Sequence, residues 1–209
     1  MTMDPERPID PFPSIEAAAD AVRRAPDPSE LSRRLLRTLE TAERAVIEAA
    51  TDVLTGAASR RRWESELTAE EQRCARYGHP ACVVVVDLDG LKLTNDARGH
   101  RAGDELLRAA ARALIEGSRV TDVVARVGGD EFAVLAVDTD LSTGRVLVER
   151  LVEALGAAGV EASIGLAQRE AETGLSDAWS EADRRMYRSK RRRTATPRST
   201  PSEYDTAAG

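Results

Sequence analysis

Aromatic side chains make up only 3% of this 209-residue chain, and it has just two cysteines. A core must therefore rest on Val, Leu, Ile and Ala, which a chain of this length can bury in quantity. Cys74 and Cys82 form no CxxC pair, and no histidine cluster accompanies them. That pattern excludes a zinc finger or a disulfide framework and leaves two reduced thiols. No apolar run is long enough to cross a bilayer, since the stretch at 81–86 is only strand-sized. No charged-then-apolar leader opens the chain, so the expectation is a cytoplasmic protein with no membrane partner. Excess positive charge is missing as well. The formal net charge is −6, which argues against nucleic acid as a partner. Lys190-Arg191-Arg192-Arg193 is a basic run without interleaved aromatics, and as a bare pattern it reads as a solvated tail.

Proline marks the first segment. Residues 1–28 are Pro-rich and charged, and read as disordered apart from a short helix over Ser14 to Arg24. A helix follows from Ser29 to about Val53, with residues 29–51 as a signalling element. Its apolar positions Leu35, Leu39, Ala42, Val46, Ala49 and Val53 recur at heptad spacing. This seam suits either a parallel dimeric stalk or an amphipathic helix lying on its own domain. After a turn at Asp52–Gly56, a helix is expected from Ser59 to Tyr77 and a doubly buried strand from Ala81 to Asp87. A loop then carries Asp89, Lys92, Asn95 and Asp96. Further on come a helix (Gly103 to Glu116), a strand (Asp122 to Val127), a Gly128-Gly129 turn and a return strand (Glu131 to Val137). A helix (Leu141 to Leu155), a strand (Val160 to Ala167) and a last helix (Ser176 to about Arg191) complete the order. It implies an α/β (α+β) sandwich with a mostly antiparallel sheet flanked by helices. Residues 194–209 read as a disordered tail.

Two groups of acids carry the chemistry. Asp87 ends the buried strand with Asp89 beyond it, and Asp130 and Glu131 follow the two glycines of the hairpin. If those strands are neighbours, the carboxylates meet at one edge of the sheet. Oxygen ligands of this kind suit a hard cation such as Mg²⁺, with water and phosphate oxygens completing its shell. A tight turn calls for glycine at positive φ, and a missing side chain lets a nucleotide come close. Acids holding a metal on a triphosphate fit phosphoryl or nucleotidyl transfer. The plainer alternative is a solvated turn.

The motifs in their order turn the balance. Gly128-Gly129-Asp130-Glu131-Phe132 resembles the signature of the GGDEF family of diguanylate cyclases. Asp52-Val53-Leu54-Thr55-Gly56, Asp87 to Asp96, Gly99-His100, Gly103-Asp104, Ser163-Ile164-Gly165, Ala182-Asp183, Met186-Tyr187 and Lys190 are also similar to family motifs. The likeness covers about residues 50–193 and delimits a domain at 52–193. It implies a five-stranded, polymerase-palm-like sheet and a homodimer condensing two GTP into cyclic di-GMP and two pyrophosphates, with Mg²⁺ (or Mn²⁺). By the same resemblance Asp87, Asp130 and the backbone carbonyl of Leu88 are metal ligands. Asp130 is also general base, and Glu131 is a neighbouring metal-site acid. Asn95 and Asp104 read guanine, with His100 bordering that pocket. Lys92 and Lys190 bind phosphate beside Gly128 and Gly129. Three departures stand out: Leu91 replaces Phe, Ser59 replaces Asn, and the usual Gly-Arg pair after Lys190 is absent, which leaves Arg193 as second phosphate cation.

Arg119-Val120-Thr121-Asp122 is an R-x-x-D, commonly a surface ion pair. Its distance from the signature resembles the family's inhibitory product site, with Arg73 supplied by a neighbouring subunit. The alternative to an enzyme is a non-catalytic receptor of GTP or cyclic di-GMP that acts through a regulatory protein partner.

Overall fold

The computed structural model describes residues 28–195. They belong to two compact units, Met1–Ile47 and Glu48–Gly209. The first contributes most of helix α1 (Pro28–Ala50). On it Leu35, Leu36 and Leu39 are about half exposed. The side chains of Ala42, Val46 and Ala49, the expected helix over Ser14 to Arg24, and the segment from 196 onward lie outside the described residues. Helix α1 stops at Ala50 rather than near Val53. Thr51 instead bridges to Ala58, and the Asp52 carboxylate accepts from the Thr55 amide at 3.0 Å and the Thr55 hydroxyl at 2.6 Å. Gly56, at φ +75°, turns the chain back, a conformation open to glycine at little steric cost.

The second unit is built on a five-stranded sheet in the order β1-β3-β4-β2-β5. The strands are β1 (Ala58–Ser59), β2 (Cys82–Leu88), β3 (Val123–Arg126), β4 (Glu131–Ala136) and β5 (Ala162–Gln168). Only β1 and β3 run parallel; the other neighbours are antiparallel, as the element order implies. β2 lies between β4 and β5 and is buried along all seven residues, which accounts for its unbroken apolar run.

Five further helices are described: α2 (Arg60–Tyr77), α3 (Leu91–Arg98), α4 (His100–Glu116), α5 (Leu141–Ala157) and α6 (Gly174–Ala195). The period of two along the strands sends alternate residues to opposite layers. Val84, Val86, Phe132 and Val134 pack with Leu107, Leu114 and Leu151 of α4 and α5. Val83, Val85, Ala133 and Leu135 pack with Trp63, Cys74, Ala178 and Met186 of α2 and α6. Cys74 and Cys82 are buried in these layers, and burial pushes their thiols up to about 11 and about 12.

Three local readings need correction. The stretch expected as a loop from Asp89 to Asp96 holds helix α3, because Gly90 at φ +80° lets the chain pass directly from strand to helix. Helix α4 correspondingly begins at His100, straight after Gly99. The basic run is not a tail: α6 continues to Ala195 and carries Lys190 and Arg193 back over the sheet end.

Candidate functional site

At the C-terminal end of β2, Asp87 pairs in register with Glu131 on one side and Ser163 on the other. The ladder runs one step further, since the Leu88 amide donates to the Asp130 carbonyl at 3.0 Å. That bond ties the Gly128-Gly129 turn to the end of β2. Asp89 is held just beyond by the Ser163 hydroxyl at 3.2 Å.

Two cations from α6 reach this acidic edge. Lys190 Nζ donates to Asp87 Oδ1 at 2.6 Å, and Arg193 Nη1 donates to Asp89 Oδ2 at 3.0 Å. Asp87 is buried. Burial raises its pKa, Lys190 opposes that rise, and the charges of Asp130 and Asp89 add to it. Glu131 is also raised, by burial first and then by Asp87, Asp130 and Asp183. The hydrogen bond to Asp87 raises Lys190 in turn. Several carboxylates crowded into a half-buried edge favour a bound cation. Their hard oxygen donors suit Mg²⁺ or Mn²⁺. Among the described residues, no three acidic, imidazole or thiol side chains are already gathered as a metal cage.

The glycines of the turn act through space rather than φ. Neither Gly128 nor Gly129 lies in the left-handed region, contrary to the expectation for a tight turn. A Cβ on Gly128 would sit 2.5 Å from Glu131 Oε2, so a side chain at this position would push the Glu131 carboxylate from its present place. At Gly129 nothing lies within 4 Å, and the backbone is open to close approach. The turn is held instead by Arg126. Its Nη2 donates to the Gly129 carbonyl at 2.7 Å, and its Nη1 reaches Asp52 Oδ1 at 3.3 Å. Burial opposes ionisation of Asp52, but its bonds from Thr55 and Arg126 prevail and lower its pKa.

A cleft of about 420 Å³ opens beside Asp130 and Gly129, with Lys92, Asn95 and His100 in its walls. Asn95 Oδ1 is buried and lacks a hydrogen-bond partner. Gly103 makes room for it, as a Cβ there would lie 2.0 Å from that oxygen. Asp104 follows on α4, half-buried, but does not line the cleft. Glu131 faces the α6 layer and lines a separate cavity of about 330 Å³ with Arg60, Trp179 and Asp183.

The Arg119–Asp122 segment closes on itself: the Arg119 amide donates to Asp122 Oδ2 at 2.8 Å, and the Asp122 amide to the Arg119 carbonyl at 3.0 Å. Arg119 and Asp122 line two hollows, one shared with Arg62 and one with Arg150. Arg73 lines neither, and pairs with Glu70 at 2.5 Å.

A family profile described as "Diguanylate cyclase, GGDEF domain" matches residues 49–196. The chain belongs to the GGDEF family. It is 36% identical over 153 residues to diguanylate cyclase DgcP of Pseudomonas aeruginosa, which covers 69% of this chain and 23% of that protein. Diguanylate cyclase DgcS of Shewanella oneidensis is 30% identical over 166 residues, with 77% of this chain and 55% of the relative covered. The chain thus spans well under two thirds of the length of these relatives. Among solved structures, the coiled coil and GGDEF domain of DgcB from Caulobacter crescentus, in complex with c-di-GMP, superposes with a TM-score of 0.73. The sequence identity is 27%, over 78% of this chain and 92% of that one. Diguanylate cyclase SiaD of Pseudomonas aeruginosa, in complex with its activator SiaC, gives a TM-score of 0.66 at 29% identity over 85% and 72%.

Within this GGDEF domain, sequence reasoning passed over three arginines. Arg126 precedes the signature by two residues, and only the hairpin register reveals that its fork returns to the turn. Arg62 stands 57 positions before Arg119 and Arg150 stands 28 positions after Asp122, and their convergence on the two hollows is one that no local spacing encodes.

Proposed function

We propose that this GGDEF domain condenses two molecules of GTP into cyclic di-GMP and two pyrophosphates. The observation that carries the reading is the meeting of Asp87, Asp130 and Lys190 at one sheet end, beside a cleft walled by Asn95. Asp87, Asp130, Glu131 and the Leu88 carbonyl would hold Mg²⁺ or Mn²⁺. Bound there, the metal supplies positive charge to the triphosphate and its leaving group.

The chain's own residues then position and neutralise. Asn95, with Asp104 on the next helix and His100 in the cleft wall, orients guanine; the Asn95 side-chain oxygen has no partner in the chain, and a rotation of the amide from its buried position against Gly103 lets it accept from a guanine N–H. Lys92, Lys190 and Arg193 face the phosphates. Lys190 rests on Asp87 in the free chain, so binding exchanges a carboxylate partner for phosphate. The bare backbone at Gly128 and Gly129 admits the nucleotide closely.

In the reaction, the 3′-oxygen of each GTP forms a bond to the α-phosphorus of the other. The bond from that phosphorus to the β-phosphate oxygen breaks, pyrophosphate leaves with the electron pair, and Asp130 takes the hydroxyl proton. One domain holds one GTP, so ring closure needs two copies facing each other. Catalysis is positioning plus charge stabilisation. Helix α1 brings the copies together, Arg119 and Asp122 bind product as feedback, and a regulatory protein can act on the same chain, as the activator does for the SiaD relative.

The test is Asp130→Asn in the full chain with GTP and Mg²⁺. Turnover should fall by about 10²-fold or more with the fold retained by circular dichroism, because one ligand charge and the base are lost together. Near-normal turnover would overturn the site assignment.

A further inference from the structure

The hollows beside Arg119 and Asp122 are unequal. The one shared with Arg150 measures about 30 Å³, room for a water or two and no more. The one shared with Arg62 measures about 260 Å³. That is just under the roughly 300–1,000 Å³ of sites that enclose a drug-sized ligand. It suits one purine base with its phosphate, not a whole cyclic dinucleotide.

Its walls have the chemistry of a guanine nucleotide. Ile115, Val120 and Val123 give apolar surface for the flat ring. Two arginines, Arg62 and Arg119, also line the groove. Planar guanidinium stacks on aromatic rings and forks onto phosphate. Asp122 uses Oδ2 to close its own turn, while its Oδ1 is buried without a partner. That oxygen needs a donor. Guanine offers adjacent N–H groups on one edge, and a small turn of the carboxylate brings the acceptor to them. Adenine has no such edge.

Local structure fixes Arg62 at this place. Ser59 caps α2 by accepting from the Arg62 amide at 3.3 Å. β1 holds that cap against β3, with Ser59 in register with Arg126. The first turn of α2 is therefore anchored to the strand that follows the Arg119–Asp122 turn. The Arg62 side chain is 48% exposed and meets only Glu66, at 3.4 Å, among the ion pairs on the described residues. A weak exposed pair of this kind is easily exchanged.

We propose that Arg62 is a ligand of the Arg119–Asp122 site within the same chain, stacking on or forking to a guanine nucleotide seated in the larger groove. The inference rests on the reading of Arg119–Asp122 as a product site, and adds a residue from the bound copy itself to the one expected from a neighbour.

The experiment is calorimetric titration of nucleotide-free full chain with cyclic di-GMP, comparing wild type with Arg62→Ala, Glu66→Gln and Arg119→Ala. Arg62→Ala should weaken binding about tenfold or more. Glu66→Gln should tighten it about twofold by releasing Arg62, a gain that loss of folding cannot imitate. Cyclic di-AMP should bind more weakly than cyclic di-GMP to the wild type. If Arg119→Ala loses affinity while Arg62→Ala and Glu66→Gln match wild type, the base lies elsewhere; the inference fails and the product site stands. If all three variants match wild type, the product-site reading itself is wrong.

Discussion

Gly165→Ala should disable the domain through one methyl group. Gly165 lies in β5 directly under α6. A Cβ there would sit 2.0 Å from the Ala182 carbonyl oxygen and 2.4 Å from the Met186 amide nitrogen, whereas real Cβ contacts stay beyond 3.0 Å. Both obstacles are backbone and cannot swing aside, so α6 must lift by about 1 Å. Overpacking of this sort costs about 1–3 kcal/mol. For a unit of this size that lowers the thermal midpoint by roughly 2–12 °C. The functional effect should be larger than the loss of stability implies. Helix α6 carries Lys190, bonded to Asp87 at 2.6 Å, and Arg193, bonded to Asp89 at 3.0 Å. A displacement of about 1 Å in positioning groups can lower turnover about 10²-fold. Differential scanning fluorimetry gives the midpoint, and pyrophosphate release from GTP gives turnover at a temperature where the variant is folded. Gly156→Ala is the control: that glycine has open space around it, lies in helix α5 and is not left-handed. It should be neutral or more stable by about 0.5–1 kcal/mol. Wild-type midpoint and turnover in Gly165→Ala would refute the seating of α6 on β5.

Other outcomes follow from the same geometry. Arg126→Ala frees the Gly129 carbonyl and Asp52, and should lower kcat about tenfold or more by loosening the turn that presents Asp130; Arg126→Lys should not restore it, because a single ammonium cannot replace the fork. Full activity in Arg126→Lys would show that the fork is not needed. Cys74 and Cys82, buried with thiols pushed up to about 11 and about 12, should resist an alkylating reagent at pH 8 until the chain is denatured; rapid labelling of the native protein, read by mass spectrometry, would contradict their burial. Removing residues 1–50 should lower specific activity in dilute solution and recover part of it at high concentration, as encounter becomes limiting. Equal specific activity across dilution would leave helix α1 with no role in pairing.

The signature, the flanking strands and the layer order were legible because each leaves a periodic or compositional mark. β2 shows as four consecutive valines, and the hairpin as two glycines between apolar runs. What escaped notice has no such mark. β1 is two residues long and too short for alternation to register. Helix α3 looked like a loop because its eight residues lie between Gly90 and Gly99 and bury no side chain fully. The bare positions at Gly128 and Gly129 were expected to reflect φ, whereas Gly128 makes room for Glu131, a contact that only coordinates reveal. The basic run as a bare pattern resembles a solvated tail, and only the family resemblance marks Lys190 and Arg193 as site cations; the length of α6, which carries them to Asp87 and Asp89 from 103 and 104 positions away, leaves no compositional mark.

The most direct measurement is the nucleotide balance of full-length chain incubated with GTP and Mg²⁺, followed by chromatography and mass spectrometry. The expected result is cyclic di-GMP accumulating with two pyrophosphates for each ring, and an initial rate that rises faster than in proportion to chain concentration when dilute. GTP that binds but is recovered unchanged at every chain concentration would contradict the account and leave a nucleotide receptor in place of an enzyme.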